Sequence, residues 1–147
     1  MTTGLPEKLD EVVATLGLVD RNDRIQLLID IADRFREVPP EVAERPFGET
    51  HKVPACESEA FVWATPREEG TLDFHFAVEN PQGISAKAMA VILQESLSGE
   101  PLRDVAAVPA DVIYQVFGRE LSMGKSMGLM GMVTMVALSA KKRLEAA

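Results

Sequence analysis

Cys56 is the only cysteine of this 147-residue chain, and its thiol is the side chain best suited to act as a nucleophile. It lies in residues 51–59, HKVPACESE, where most neighbours are polar and Pro54 favours an extended backbone. A lone cysteine is usually a small buried hydrophobic residue, whereas polar flanks favour a thiol presented on a loop. The residues alone leave both interpretations open, a functional thiol or an incidental one.

A stand-alone thiol enzyme would also need a histidine base close to Cys56 and a group that orients it. The chain has two histidines, His51 in the same segment and His75 on the predicted outward face of a strand. A hydrolase or transferase that uses Cys56 with His51 or His75 is therefore one hypothesis, and two solvated histidines are the more ordinary interpretation. The three residues lack a recognised metal-ligand spacing, so we expect no metal site.

The last helical segment contributes a second set of candidates. Gly128 and Gly131 would weaken a helix, so they predict a close approach of another backbone. Lys125, at the polar start of the segment, is either a solvated lysine or a contact for an acidic partner surface. Thioether groups bind soft copper ions, but adaptable core packing is the commoner role of methionine. The methionines concerned are Met123, Met127, Met130, Met132 and Met135.

Composition and charge exclude several classes of protein. The net charge of −8 argues against a nucleic-acid partner, because phosphate binding needs clustered Lys and Arg. One cysteine cannot form an internal disulfide or a site built from several thiolates, such as an iron–sulfur cluster. The first residues lack the apolar core of a leader peptide, and the longest uncharged run, residues 126–140, is shorter than the ~20 residues of a membrane span. We therefore expect a single cytoplasmic domain, residues 1–147, without a membrane span.

Periodic apolar residues define the elements that must position these side chains. Helical spacing predicts a first helix that ends near Gly17 and a second helix, for whose start Asp20 and Asp23 offer caps and N-terminal charge. Alternation in residues 60–65 and 72–78, across a polar turn, predicts an antiparallel hairpin with one buried face. The inner face of the second helix is predicted to carry Ile25, Leu28, Ile29, Ala32 and Phe35.

Helices are predicted for most of the remaining chain. Gly83 opens a helix that is apolar nearly all round, which is typical of a core helix. Residues 102–107 and 109–117 predict two shorter helices, and Ser122 is predicted to cap a long final helix. The order of helices, hairpin and helices predicts the α+β class, with a small antiparallel sheet and helices packed on it.

Two segments give the chain a resemblance to the SufE family of sulfur-acceptor proteins. Residues 53–58, VPACES, are similar to the family's hydrophobic-x-small-Cys-x-Ser segment before an aromatic-bearing strand. Residues 121–129, LSMGKSMGL, look like the family's segment that opens the C-terminal helix. The chain departs from the family pattern at Ala55, where Gly is usual, and at Lys125, where the family has Arg. U-type scaffold proteins share the implied fold, but they carry several cysteines where this chain has one.

The resemblance implies a sulfur carrier. Cys56 would take the outer sulfur from the persulfide of a pyridoxal-phosphate cysteine desulfurase, stimulate that enzyme and pass the sulfur to an iron–sulfur scaffold complex. The chain would need no cofactor of its own, act as a monomer or weak dimer, and not be an independent enzyme. We expect Cys56 to be partly buried, since an exposed persulfide would be lost to oxidants. The residues expected to bind the partner are His51, Lys52, Ser58 and Lys125.

Overall fold

A computed structural model describes residues 4–146 of the chain. Within that range, a helical pair is followed by a two-stranded antiparallel sheet and then by the remaining helices. This arrangement confirms the predicted α+β class. In chain order the elements are α1 (Glu7–Gly17), α2 (Arg21–Ala32), a 3₁₀ turn (Glu49–His51), β1 (Ala60–Pro66), β2 (Leu72–Val78), α3 (Ile84–Leu97), α4 (Leu102–Ala106), α5 (Val112–Phe117) and α6 (Met123–Ala146).

The sheet is a hairpin whose register pairs Ala60 with Val78 at its open end. One face, which includes Val62 and Phe74, enters the main core together with side chains of α3 and α6. A central helix that is apolar all round was predicted, and α3 is buried along most of its length. The prediction of a single buried sheet face was wrong, because residues 38–47 fold back over the other face.

The segment that covers the second face is held by ring packing and by the backbone. The ring centre of Phe47 lies 4.9 Å from that of Trp63, in the edge-on geometry that aromatic pairs favour. The backbone N–H of Val38 donates a hydrogen bond of 2.8 Å to the carbonyl oxygen of Phe76. Phe61 and Trp63 are therefore buried on this side. The covering segment has no period in the sequence, so periodicity could not place it.

Helix α2 begins as predicted but buries a narrower face than predicted. Asp20 caps it, since its carboxylate accepts a 2.9 Å hydrogen bond from a backbone N–H of the first turn. Leu28 is buried, whereas Ile25 and Ile29 remain 46% and 36% exposed. The prediction that Ile25 and Ile29 face the core was wrong. Helical spacing identifies an apolar face, but it does not show what covers that face.

Helix α6 combines core packing with an apolar composition. Ser122 caps it as predicted, because its hydroxyl oxygen accepts a 3.2 Å hydrogen bond from the backbone N–H of Lys125. By length and composition alone α6 could cross a membrane, yet 39% of its most apolar stretch is buried inside the protein. Leu129 and Met132 join the main core, which is the packing role predicted for the methionines. Met123 and Met127, in contrast, are exposed, so the core-packing prediction was wrong for these two.

Candidate functional site

Cys56 lies in a tight loop between the 3₁₀ turn and β1, formed by residues 53–60 and called the cysteine loop below. The backbone N–H of Val53 donates a 2.8 Å hydrogen bond to the carbonyl oxygen of Ala60 and closes the neck of the loop. At the tip, the backbone N–H of Glu59 donates to the carbonyl oxygen of Cys56 at 3.1 Å. The loop is therefore a compact turn whose two ends are tied together.

Two residues of the cysteine loop have a left-handed backbone. The φ angle is 57° at Ala55 and 52° at Glu59. This conformation costs a residue other than glycine about 1 kcal/mol or more, so the surrounding contacts must hold it in place. The two residues stand on either side of Cys56, and they turn the chain sharply before and after it. The thiol is thereby carried to the tip of the loop.

Helix α6 presents a face of glycines to the cysteine loop. A Cβ atom added at Gly128 would lie 3.1 Å from the Cα and 3.2 Å from the Sγ of Cys56. A Cβ at Gly131 would lie 2.8 Å from Cγ1 of Val53, and one at Gly124 would collide with a carboxylate of the loop. The close approach predicted at Gly128 and Gly131 is confirmed. Gly124 was missed, although its spacing from Gly128 places it on the same helix face.

Cys56 lines a cavity of about 390 Å³ that Ser58 and Lys125 also line. Gly128 and Leu129 contribute part of its wall from α6. Cys56 is half-buried, which confirms the partial burial expected from the sequence. Cys56 is thus neither sealed in the core nor fully exposed, and the cavity provides room beside it for additional atoms.

A second cavity, of about 580 Å³, also has Cys56 in its wall. Lys52 and Glu57 line this second cavity. The structure therefore brings three of the four expected partner-binding residues to cavities that touch the thiol: Ser58 and Lys125 at the first, and Lys52 at the second.

His51 is not brought to the thiol. Its Nδ1 atom lies 3.0 Å from the carbonyl oxygen of Val62, within hydrogen-bond distance. Its ring stacks on that of Trp63 with 5.3 Å between centroids. His51 lines neither of the two cavities at Cys56. Its contacts tie the 3₁₀ turn to β1.

His75 lies on β2, on the sheet face that residues 38–47 cover, and its Nε2 atom is 3.0 Å from the hydroxyl oxygen of Thr65. Burial lowers the pKa of His75, although the nearby Asp73 carboxylate opposes this shift. The interpretation of two solvated histidines was wrong, because both are half-buried and hydrogen-bonded. Neither lines a cavity with Cys56, so the Cys–His hypothesis gains no support from this geometry.

Metal-ligating side chains do not converge in the described part of the chain. Among residues 4–146, no group of three or more His, Cys, Asp or Glu side chains is placed to hold one metal ion. His51 and His75 contact other groups than Cys56. The candidate site is organised around a single sulfur atom and the loop that carries it.

Known proteins resemble this chain in sequence and in fold. The sequence model of the family described as "SufE: Fe-S metabolism associated domain" matches residues 10–140. Uncharacterized SufE-like proteins of two Mycobacterium tuberculosis strains, CDC 1551 and H37Rv, are each 30% identical over 146 residues, which cover 97% of this chain and 95% of the relative. A solution structure of a hypothetical protein from Thermus thermophilus is 25% identical and has a TM-score of 0.72, covering 96% of this chain and 98% of that one.

Proposed function

This chain belongs to the SufE family and has a role in Fe–S metabolism, and from that membership we propose that it is a sulfur carrier. Cys56 takes sulfur from the persulfide of a pyridoxal-phosphate cysteine desulfurase, stimulates that enzyme and delivers the sulfur to an iron–sulfur scaffold complex. The pyridoxal phosphate belongs to the desulfurase. The carrier acts in the cytoplasm without a cofactor of its own.

The proposed transfer is an exchange between a thiolate and a persulfide. The Cys56 thiolate attacks the outer sulfur of the partner's Cys–S–SH group and forms a new S–S bond. The partner's own S–S bond breaks, and its cysteine leaves as a thiolate. Cys56 then carries –S–SH, and the exchange involves no net oxidation or reduction. Delivery begins in the same way, with a nucleophile of the acceptor attacking the outer sulfur on Cys56.

The half-buried position of Cys56 in the wall of the 390 Å³ cavity is the observation that carries the proposal. An added sulfur extends the side chain by about 2 Å, so it needs only a small part of that space. Partial shielding from oxidants prolongs the life of a persulfide. Lys125 and Glu57 line the same cavity, so charged side chains of both signs are present where a partner's persulfide would approach.

The packing of the cysteine loop against α6 allows the thiol to move toward a docked partner. The loop contacts Gly124, Gly128 and Gly131, so no α6 side chain at these positions has to rotate before the loop can rise. The neck hydrogen bond between Val53 and Ala60 can stay in place while the tip moves. A docked partner can therefore reach the sulfur without unfolding β1.

Mass spectrometry after incubation with a purified cysteine desulfurase and cysteine tests the proposal. We expect one sulfur atom to be added to Cys56 and to be released by a reductant. The Cys56→Ser variant should gain no sulfur and should fail to stimulate the desulfurase, while it unfolds at the wild-type temperature. Full stimulation by Cys56→Ser would overturn the proposal and favour a binding module whose cysteine is incidental.

A matched control separates sulfur transfer from a stand-alone thiol enzyme. The double variant His51→Ala/His75→Ala removes both histidines of the chain. We expect it to accept sulfur from the desulfurase as the wild type does, because neither histidine lines a cavity with Cys56. Activity of the wild type without any desulfurase, abolished in this double variant, would contradict the carrier role.

A further inference from the structure

Three exposed isoleucines line one groove beside the cysteine loop. Ile25 and Ile29 of α2 are exposed as described above, and Ile84, at the start of α3, is 48% exposed. Together with residues 117–121 they bound a cavity of about 570 Å³, called the isoleucine groove below. A contiguous apolar surface rimmed by polar residues is typical of a site of interaction.

The rim of the isoleucine groove is basic, although the whole chain has a net charge of −8. Its basic lining residues are Arg21, Arg24, Arg119 and Lys125, and its acidic one is Glu120. Arg21 pairs with Glu120 at 3.3 Å, and Arg24 donates a 3.2 Å hydrogen bond to the carbonyl oxygen of Leu16. Within residues 4–146, the side chains of Arg119 and Lys125 form no ion pair. The guanidinium of Arg119 lies over the ring of Tyr114, 5.8 Å from its centroid, and this contact leaves its charge without a carboxylate partner among the described residues. Both cations can therefore pair with carboxylates of a partner.

The isoleucine groove adjoins the cavity at the thiol. Ile84, Ser85 and Lys125 line both of them. A partner whose segment is seated in the groove would consequently have its neighbouring surface next to the cavity that Cys56 and Ser58 line. The groove is thus placed to align a partner with the reacting sulfur.

We propose that the isoleucine groove docks a segment of the desulfurase in which apolar side chains are flanked by Asp or Glu. This inference rests on the proposed sulfur transfer, since it names the surface through which that partner binds. The apolar side chains of the segment pack on Ile25, Ile29 and Ile84, and its carboxylates pair with Arg119 and Lys125. Burial of the isoleucines supplies most of the affinity, and the cations speed and orient the encounter.

Isothermal titration of purified desulfurase tests this surface with two pairs of variants. Ile25→Asp/Ile29→Asp places charge on the groove floor, and Leu138→Asp is its control because Leu138 is 43% exposed and lies outside the groove. Arg119→Glu/Lys125→Glu reverses the charge of the two groove cations that form no ion pair in the described residues, and Lys141→Glu is its control because Lys141 is exposed and lies outside the groove. Thermal unfolding and the alkylation rate of Cys56 establish that each variant keeps its fold and its thiol.

We expect both groove variants to weaken binding by about tenfold or more, and both controls to bind like the wild type. Affinity of the wild type should fall with added salt, and that dependence should shrink in Arg119→Glu/Lys125→Glu. Wild-type affinity in both groove variants, with sulfur still transferred to Cys56, would overturn the groove and leave the carrier proposal standing. Tight binding that the groove variants lose, without any sulfur on wild-type Cys56, would support the groove and overturn sulfur transfer. Absence of both binding and transfer in the wild type would overturn both.

Discussion

Replacement of Gly128 by alanine tests directly whether the glycine face of α6 seats the cysteine loop. The added Cβ would lie 3.1 Å from the Cα, 3.2 Å from the Sγ and 3.3 Å from the Cβ of Cys56. All three contacts are with one residue, and one of them is with backbone. Relief therefore requires the loop itself to shift by a few tenths of an ångström, because no flexible side-chain end is available to move aside.

Two opposing terms set the size of the effect. Alanine in place of glycine within a helix stabilises by roughly 0.5–1 kcal/mol, and overpacking costs about 1–3 kcal/mol. If the loop stays in place, Gly128→Ala should lower the free energy of unfolding by roughly 0–2.5 kcal/mol. If the loop is displaced, stability is retained but Cys56 becomes more exposed. We therefore expect either a lower free energy of unfolding or a more exposed Cys56.

Gly124→Ala is the matched control for this experiment. Its added Cβ meets the carboxylate of Glu57, which is the far end of a flexible side chain and can swing away. We expect this variant to be more stable than the wild type by roughly 0.5–1 kcal/mol, with an unchanged thiol.

Urea denaturation and the rate of Cys56 alkylation by iodoacetamide measure the two quantities in both variants. Gly128→Ala should be less stable than Gly124→Ala, or its thiol should be alkylated faster, or both. If Gly128→Ala matches Gly124→Ala in stability and its thiol reacts at the wild-type rate, the close seating of Cys56 on α6 is refuted.

Two further predictions concern the backbone of the cysteine loop and the buried histidine. Because φ is 57° at Ala55, Ala55→Gly removes a left-handed penalty of about 1 kcal/mol, while the greater freedom of glycine in the unfolded chain costs a smaller amount. Urea denaturation should therefore show that Ala55→Gly raises the free energy of unfolding by up to ~1 kcal/mol. Ala55→Val should instead lower it. Burial lowers the pKa of His75 below its ordinary 6.5, so the unfolded state binds this proton more tightly and the free energy of unfolding should fall as pH drops through that value. In His75→Gln the part of the decline that begins as pH falls below about 6.5 should vanish, and a pH profile identical to that of the wild type would contradict a lowered pKa of His75.

Local signals in the sequence predicted much of the fold. Asp20 and Ser122 are caps whose side-chain oxygens meet N–H groups a few residues away, so their roles can be recognised from neighbouring residues alone. The alternation in residues 60–65 and 72–78 likewise identified the hairpin. The apolar run at the centre of α3 identified a core helix. Each of these features depends on contacts within one element or between adjacent ones.

What the sequence could not predict depends on contacts between distant segments. Residues 38–47 cover the second face of the sheet through Phe47 and Val38, and nothing periodic marks them as strand or helix. Ile25 has the same spacing that buries Leu28, yet the fold leaves it exposed. The position of His75 in the sequence does not show whether it lies near Cys56. The strand register places its ring beside Thr65 instead.

The same distinction holds within the candidate site. Cys56 could be singled out as the sole cysteine, and its polar flanks indicated a loop. The left-handed backbone at Glu59 could not be foreseen, because glutamate usually avoids it, whereas the glycine that is usual in the family at position 55 was a signal for the same conformation at Ala55. Gly124 could have been found, since it precedes Gly128 by one helical turn.

The neck of the cysteine loop also limits how far the sulfur can travel. The hydrogen bond between Val53 and Ala60 anchors the loop, and Cys56 stands three positions after the first anchor. A fully extended chain of that length spans about 10 Å, so this tether confines the backbone of Cys56 to a radius of that order while the neck remains closed. The sulfur donor and the sulfur acceptor must therefore each place the reacting atom inside this radius. Transfer then requires two successive complexes, in each of which the partner docks close to the cysteine loop.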